Sequence, residues 1–422
     1  MERRRVVVTG LGVVSPVGIG VDAFWGALLR GTSGVGPITR FDARRHETRI
    51  AAEVKGFDPE RYLDRREIRR TDRFIHFAVA AARMALEDAG LKTGGEVAEG
   101  LGVSLGTGMG GIPFLEQAAA VLRERGPSRI SPYAIPGMIP NMAAGVVSMQ
   151  VGAGGPNLAT STACAAANHA IGEAARLLQW GDAETMLAGG TEALITPLVV
   201  AGFSALKVLS RHNEEPARAS RPFDRNRDGF VIGEGAGMVV LEGLDHALHR
   251  GACIYAEVAG YGQSADAHHL TAQSPDGAGP ARAMTRGLLD AGLAPEAVQY
   301  ISAHATASPA SDAIEAAAIR GVFGAHAAAL AVSSIKSMTG HPLGASGALQ
   351  AIATCLAIRH GVVPPTINYE TPDPACDLDV VPNASRHLSV DAALSNTFGF
   401  GGTNATLAFR RVAPGAAGPP AA

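Results

Sequence analysis

The chain has 422 residues, 47% of them hydrophobic and 18% charged, with a formal net charge of −3. That much apolar sequence exceeds what one core normally holds, so two packed units are expected. The near-neutral balance argues against a nucleic-acid-binding protein, and no apolar run is long enough to span a bilayer.

The N-terminal residues Met1–Arg5 lead straight into a β-like run, Val6–Gly12, with no signal-peptide core behind them. The run ends in Thr9-Gly10-Leu11-Gly12. The next segment, Val21–Leu29, has Val21, Phe24, Trp25 and Leu28 on one helical face and reads as core. A basic stretch, Arg65-Arg66-Glu67-Ile68-Arg69-Arg70, precedes a helix expected over Thr71–Ala89. Gly155–Thr160 reads as a turn and a short extended segment, and Ala165–Trp180 as an Ala-rich helix that Gly181 can stop. Between them lies Ser161-Thr162-Ala163-Cys164-Ala165. Cys164 thus stands at or near a helix N-terminus, where the dipole favours thiolate, the nucleophilic form. A buried structural cysteine is the plain alternative.

The second part of the chain echoes the first. Ile254–Gly262 is again β-like and ends in Ala259-Gly260-Tyr261-Gly262; Gly287–Leu293 repeats the pattern of Ala85–Leu91. Two similar halves that mix strands and helices imply a duplicated α/β fold. His304 follows the β-like run Val298–Ile301. His341, in Lys336-Ser-Met-Thr-Gly-His341-Pro-Leu-Gly, lies between the apolar run Leu330–Ile335 and a helix-like run Gly347–Ile358. Each histidine stands just past a predicted strand, where α/β proteins build their sites. Asn396–Asn404 is Gly-rich, suiting backbone that turns sharply or comes close to a ligand, and it lacks the lysine of a phosphate-binding loop. The four cysteines (Cys164, Cys253, Cys355, Cys376) are scattered. They fit neither a zinc site nor a disulfide framework and point to a cytoplasmic location. The tail Ala413–Ala422 is expected to be mobile.

Taken together, these motifs resemble the β-ketoacyl-acyl-carrier-protein synthases, condensing enzymes of the thiolase superfamily, in their ketoacyl synthase II form. The resemblance runs from Arg4 to about Val412 and includes Pro222-Phe-Asp224, Arg227-Asp-Gly-Phe230, Gly233–Gly237 and Pro364–Asn368. It implies a thiolase-like fold, two halves forming a five-layer α-β-α-β-α sandwich. Residues 1–252 would form the half with the cysteine, 253–412 the half with the histidines, and 413–422 the tail. It implies a decarboxylative condensation of a malonyl thioester with an acyl group carried on Cys164. His304 and His341 would hold the thioester oxygen as negative charge develops there. The backbone N–H groups of Cys164 and Phe400 would form the oxyanion hole. Lys336 is read as a buried lysine paired with Glu315, both supporting the histidines rather than acting as bases.

Further positions carry over by the same resemblance. Thr306, Ser308 and Thr271 would meet the substrate arm, and Met109, Phe203 and Phe400 would wall or gate the acyl tunnel. The acyl carrier protein would dock on Arg65, Arg66, Arg69, Arg70 and Lys207 by charge complementarity. No resident cofactor or metal is expected, since the phosphopantetheine arm arrives on the carrier. The implied state is a dimer, with a second copy or with a chain-length factor. The chain departs from the usual His-Gly-Thr-Ser-Thr-Pro at His304-Ala305-Thr306-Ala307-Ser308-Pro309. Ala305 suits that position if it does not need a positive φ. A degradative thiolase would need a second catalytic cysteine near the C-terminus, and priming synthases pair Cys and His with Asn; neither fits His341. A chain-length factor lacks the cysteine. The ketosynthase subunit of a type II polyketide synthase remains the alternative.

Overall fold

A computed structural model describes residues 3–92 and 96–412. The expected mobility of the tail concerns residues outside this range. Ten strands make up the main framework. β1 (Val6–Ser15), β2 (Leu101–Gly106), β3 (Asn157–Thr160), β4 (Thr185–Glu192) and β5 (Gly235–Gly243) lie in the spatial order β3-β2-β4-β5-β1. β6 (Ala256–Ala265), β7 (Tyr300–Ser302), β8 (Ala331–Ser333), β9 (Ala392–Gly399) and β10 (Thr403–Arg410) lie in the order β8-β7-β9-β10-β6. Numbered within its own half, each set has the same order. The directions also agree: the first three neighbours are parallel, and the fourth and fifth strands run antiparallel. The duplication suspected from sequence is therefore present in strand topology. The two sheets join at one edge through Val7–Glu257 and Val8–Ala256 of β1 and β6.

Five helices matter for the site: α1 (Arg73–Asp88), α2 (Ala166–Trp180), α3 (Ala278–Ala291), α4 (Ser311–Phe323) and α5 (Ser346–His360). α1 covers the outer face of the first sheet and α3 that of the second, while α2 and α5 pack on each other between the sheets. The sequence accounts for the difference. Every residue of α5 from Ser346 to Ile358 is buried, as a helix covered on all sides must be. α1 and α3 are amphipathic, with small residues facing the sheet. α1 starts two residues later than expected because Asp72 caps it, accepting from the Phe74 N–H. The basic stretch before it forms its own short helix, Arg65–Ile68. The segment Val21–Leu29 is a helix with Phe24, Trp25 and Leu28 buried, as expected.

The Gly-x-Gly endings of the two echoing runs have one physical cause. A Cβ on Gly12 would lie 1.9 Å from the Ala81 carbonyl oxygen of α1, and one on Gly262 2.0 Å from the Ala283 carbonyl oxygen of α3. Each outer helix thus lies directly on strand backbone. The apolar core follows the layers. Ile171, Leu178, Leu349 and Ile352 meet Val8, Leu11, Leu407 and Phe409 between the sheets. Phe74, Phe77 and Leu105 fill the first outer layer, and Met284, Leu288 and Ile319 the second.

Candidate active site

In each half a 3-10 turn after the third strand opens a central helix; in the second half a short helix, Lys336–Thr339, comes before that turn. In the first half that turn is Ala163–Ala165, before α2; in the second it is Leu343–Ala345, before α5. Both turns begin on a non-glycine residue with positive φ, Ala163 at 51° and Leu343 at 41°. Such backbone is strained and persists only where its surroundings hold it. Cys164 is the middle residue of the first turn, and Gly344 takes the matching place in the second. His341 lies just upstream of Leu343. The equivalent connections of the two halves therefore bring the thiol and this imidazole face to face: His341 Nε2 is 3.1 Å from Cys164 Sγ. His341 Nδ1 is 2.8 Å from the Ser346 hydroxyl, at the start of α5. That hydroxyl can donate to Nδ1 or accept from it, so either tautomer of His341 is satisfied.

His304 follows β7, and its ring meets that of His341 edge-on, 5.6 Å between centroids. Its Nδ1 is buried and has no hydrogen-bond partner among the described residues. An unpaired acceptor is better tolerated than an unpaired N–H, so the proton belongs on Nε2. Burial, together with the nearby positive Lys336, holds both imidazoles well below the ordinary histidine range, so both are neutral at pH 7.

The expected thiolate is corrected. Burial pushes the Cys164 thiol up to about 12, against the pull of Lys336 and of the nearby Phe400 and Cys164 N–H groups. Glu192 pushes in the same direction as burial. Desolvation outweighs the helix end, and the resting group is a thiol. The Phe400 loop reaches the nucleophile because Gly399 has no side chain; a Cβ there would lie 2.9 Å from the Thr162 carbonyl oxygen.

The expected Lys336–Glu315 pair is also corrected. Among the described residues Lys336 forms no ion pair. Its Nζ donates to the His304 carbonyl oxygen (2.6 Å) and to Gln350 Oε1 (2.7 Å). Glu315 instead accepts from the His304 N–H (2.9 Å) and the Ala305 N–H (2.7 Å). The two side chains grip the same stretch of backbone from opposite sides. Burial raises the Glu315 pKa and lowers that of Lys336, while their mutual attraction opposes both shifts. Asp312, one turn before Glu315 on α4, accepts from the N–H groups of Thr306, Ala307 and Ser308. Ala305 has no positive φ, so replacing glycine there is harmless; the left-handed residue of the loop is Ala307, at 69°.

A cavity of about 300 Å³ collects these groups. Cys164, His304, His341, Thr306, Ser308, Thr271, Met109, Phe203 and Phe400 all line it. Phe203 packs edge-on against Phe230 and Phe400. Met109 is 38% exposed, so it is not a core residue. The basic positions lie elsewhere and are not equivalent. Arg65 pairs with Glu60, and Arg70 lies 4.5 Å from the Tyr133 ring. Arg66 and Arg69 have no ion-pair partner among the described residues, and Lys207 is exposed, at φ 57°. Glu192 went unnoticed in the sequence. It is buried at the end of β4 and accepts from the N–H groups of Gly108, Met109 and Gly344, tying the Met109 loop to the turn after His341. Burial pushes it up to about 7. Ser346 and Gln350 were missed as well.

Residues 3–247 match the family described as "Beta-ketoacyl synthase, N-terminal domain", and residues 255–370 match its C-terminal domain. The chain belongs to the β-ketoacyl synthase family. It is 54% identical to 3-oxoacyl-[acyl-carrier-protein] synthase 2 of Synechocystis over 97% of this chain and 99% of that one. It is 54% identical to the Coxiella burnetii protein of the same name over 98% and 100%. Among solved structures it resembles a β-ketoacyl synthase from Burkholderia phymatum, with 36% identity and a TM-score of 0.91 over 97% of this chain and 100% of that one. It also resembles a ketosynthase from a type II PKS complex with its acyl-carrier protein, with 38% identity and a TM-score of 0.90 over 98% and 100%. No helix among the described residues is long and apolar enough to cross a membrane.

Proposed function

We propose that this ketosynthase joins an acyl group on Cys164 to a malonyl unit delivered by an acyl carrier protein, extending the chain by two carbons with loss of CO2. The observation that carries this reading is the meeting, in one cavity, of a thiol, two neutral imidazoles and a loop N–H beside the sulfur. In the first step Cys164 Sγ attacks the incoming thioester. Its proton passes to His341 Nε2 and leaves on the departing pantetheine thiol. In the second, the malonyl C–CO2 bond breaks and its electrons move onto the thioester oxygen. Nε2–H groups of His304 and His341 hold that enolate, with the Ser346 hydroxyl now donating to His341 Nδ1. The enolate carbon then attacks the acyl carbon, the Cys164 and Phe400 N–H groups hold the oxyanion, and the C–S bond breaks. The released sulfur takes up one proton from solvent.

Lys336 and Glu315 support His304 through its backbone. Thr306, Ser308 and Thr271 meet the phosphopantetheine arm, which is why no resident cofactor is needed. Met109, Phe203 and Phe400 bound the acyl tunnel. Carrier docking is assigned to Arg65, Arg66, Arg69, Arg70 and Lys207. The division into residues 1–252 and 253–412 places the boundary in the connection before β6. A dimer and a cytoplasmic location complete the proposal. Relatives named 3-oxoacyl-[acyl-carrier-protein] synthase 2 at 54% identity favour a fatty-acid role. A structural neighbour at 39% identity, titled "The ishigamide ketosynthase/chain length factor", supports the polyketide alternative with a different partner subunit. Product mass decides between them. The protein alone, given acyl-loaded and malonyl-loaded carrier, is expected to yield one two-carbon extension. No extension while Cys164 still reacts with a thiol probe would favour the heterodimeric enzyme.

A further inference from the structure

Among the described residues, only His341 of the two histidines has a side-chain partner that orients its ring, Ser346. His304 Nδ1 has none. The direction of the His304 ring must therefore come from its own backbone and from packing against Phe398 and His341. The backbone is held on its N–H side by Glu315. Its carbonyl side leads to one residue, Gln350, which is 1% exposed on α5. Gln350 Nε2 donates to the carbonyl oxygens of Ser302 (3.2 Å), Ala303 (3.0 Å) and Asn396 (3.0 Å). Gln350 Oε1 accepts from Lys336, whose ammonium also donates to the His304 carbonyl oxygen.

One amide thus holds three consecutive carbonyls, those of 302 and 303 directly and that of 304 through Lys336. It also ties them to the neighbouring strand at Asn396. An amide suits this place because it presents a donor to the carbonyls and an acceptor to the ammonium. A carboxylate would set its second oxygen against three carbonyl oxygens, and an apolar side chain would remove the amide's bonds to all of them and leave Lys336 with the His304 carbonyl oxygen alone.

We infer that Gln350 is a positioning residue for His304: its amide fixes the 302–304 backbone and so aims the imidazole at the developing enolate. This rests on the proposed role of His304 in decarboxylation. Gln350 touches neither substrate nor sulfur, and its one link to Cys164 and His341 is the charge of Lys336, which both variants leave in place.

The test uses the full-length enzyme carrying Gln350→Met, which removes donor and acceptor, and Gln350→Glu, which keeps an acceptor and removes the donor. Two rates are read at a temperature where each variant is folded: release of CO2 from malonyl-loaded carrier, and alkylation of Cys164 by iodoacetamide. A misaimed catalytic group loses about 10²-fold. CO2 release is expected to fall by that order in both variants, with KM for the malonyl carrier and Cys164 alkylation changed less than about threefold. Combined with His304→Ala, neither Gln350 substitution should lower CO2 release further, because residues acting through one group are not additive. Either variant that folds is enough for this cycle. Equal losses in both rates, or a full additional loss in the His304→Ala background, would assign Gln350 a general structural role and overturn the inference. So would undiminished CO2 release by Gln350→Glu. Unimpaired CO2 release by His304→Ala alone would overturn the parent reading of His304 instead.

Discussion

Cys164, the proposed nucleophile, is held as a thiol. With its pKa pushed up to about 12 by burial, the thiolate fraction at pH 7 is small and grows tenfold with each pH unit. Alkylation of the free enzyme by iodoacetamide is therefore expected to keep rising from pH 7 to 9. A plateau below pH 8 would show a resting thiolate and restore the helix-end expectation. The 3.1 Å approach of His341 Nε2 gives the proton somewhere to go during acyl transfer. From sequence alone, His341→Ala would be expected to lose decarboxylation and still accept an acyl group. The geometry changes that expectation: His341→Ala should slow acyl loading as well, by about 10²-fold, as removal of a general base does. Cys164→Ala should lose loading entirely and keep decarboxylation, because the imidazoles do not need the sulfur to hold an enolate. Pre-steady-state loading from a labelled acyl carrier and CO2 release separate the two steps. Full-rate loading by His341→Ala would remove that residue from the first step.

At the scale of elements, what the sequence made legible were the features that repeat or that carry reactive side chains. The strand-then-histidine pattern located His304 and His341, and the Gly-x-Gly echo revealed the duplication. Its cause can be tested. Gly12→Ala and Gly262→Ala each force a methyl into the backbone of an outer helix. Each is expected to cost about 1–3 kcal/mol, as overpacking does, and the two should behave alike. Thermal melts would read this; an unchanged midpoint for either would mean that its helix can lift away. Glu192, Gln350 and Asp312 were not legible as parts of the site, for one shared reason. They bind backbone N–H and carbonyl groups, which every residue possesses, so no pairing of side chains along the chain marks them. Glu315 was assigned to Lys336 because the family resemblance pairs them. Instead, each satisfies peptide groups of the same loop, which was invisible until the loop was folded.

At the scale of the molecule, the carrier must find the cavity mouth from solution, and the basic residues can steer it only where their charge is free. Arg65 is neutralised by Glu60, and Arg70 is engaged with Tyr133. Reversing Arg66 and Arg69 to Glu is therefore the informative change. It should weaken carrier binding about tenfold at low salt, leave the thermal midpoint near that of the wild type, and matter less as salt rises. Binding measured by fluorescence anisotropy over a salt series would check this. Affinity unchanged at low salt would move the docking face elsewhere.

The shared turn before the two central helices has a consequence for how such enzymes can change. One copy of the turn kept a thiol, and the other carries a glycine there with an imidazole just upstream. On the proposed roles, the thiol that stores the acyl group lies in one copy of a shared module, and both histidines that hold the enolate lie in the other, with His341 serving the loading step as well. Drift in the first copy can silence storage while the enolate-holding pair survives with its scaffold intact. Half-active descendants are then a short mutational step from the complete enzyme, and a working pair could be reconstituted from two such chains, each supplying what the other has lost.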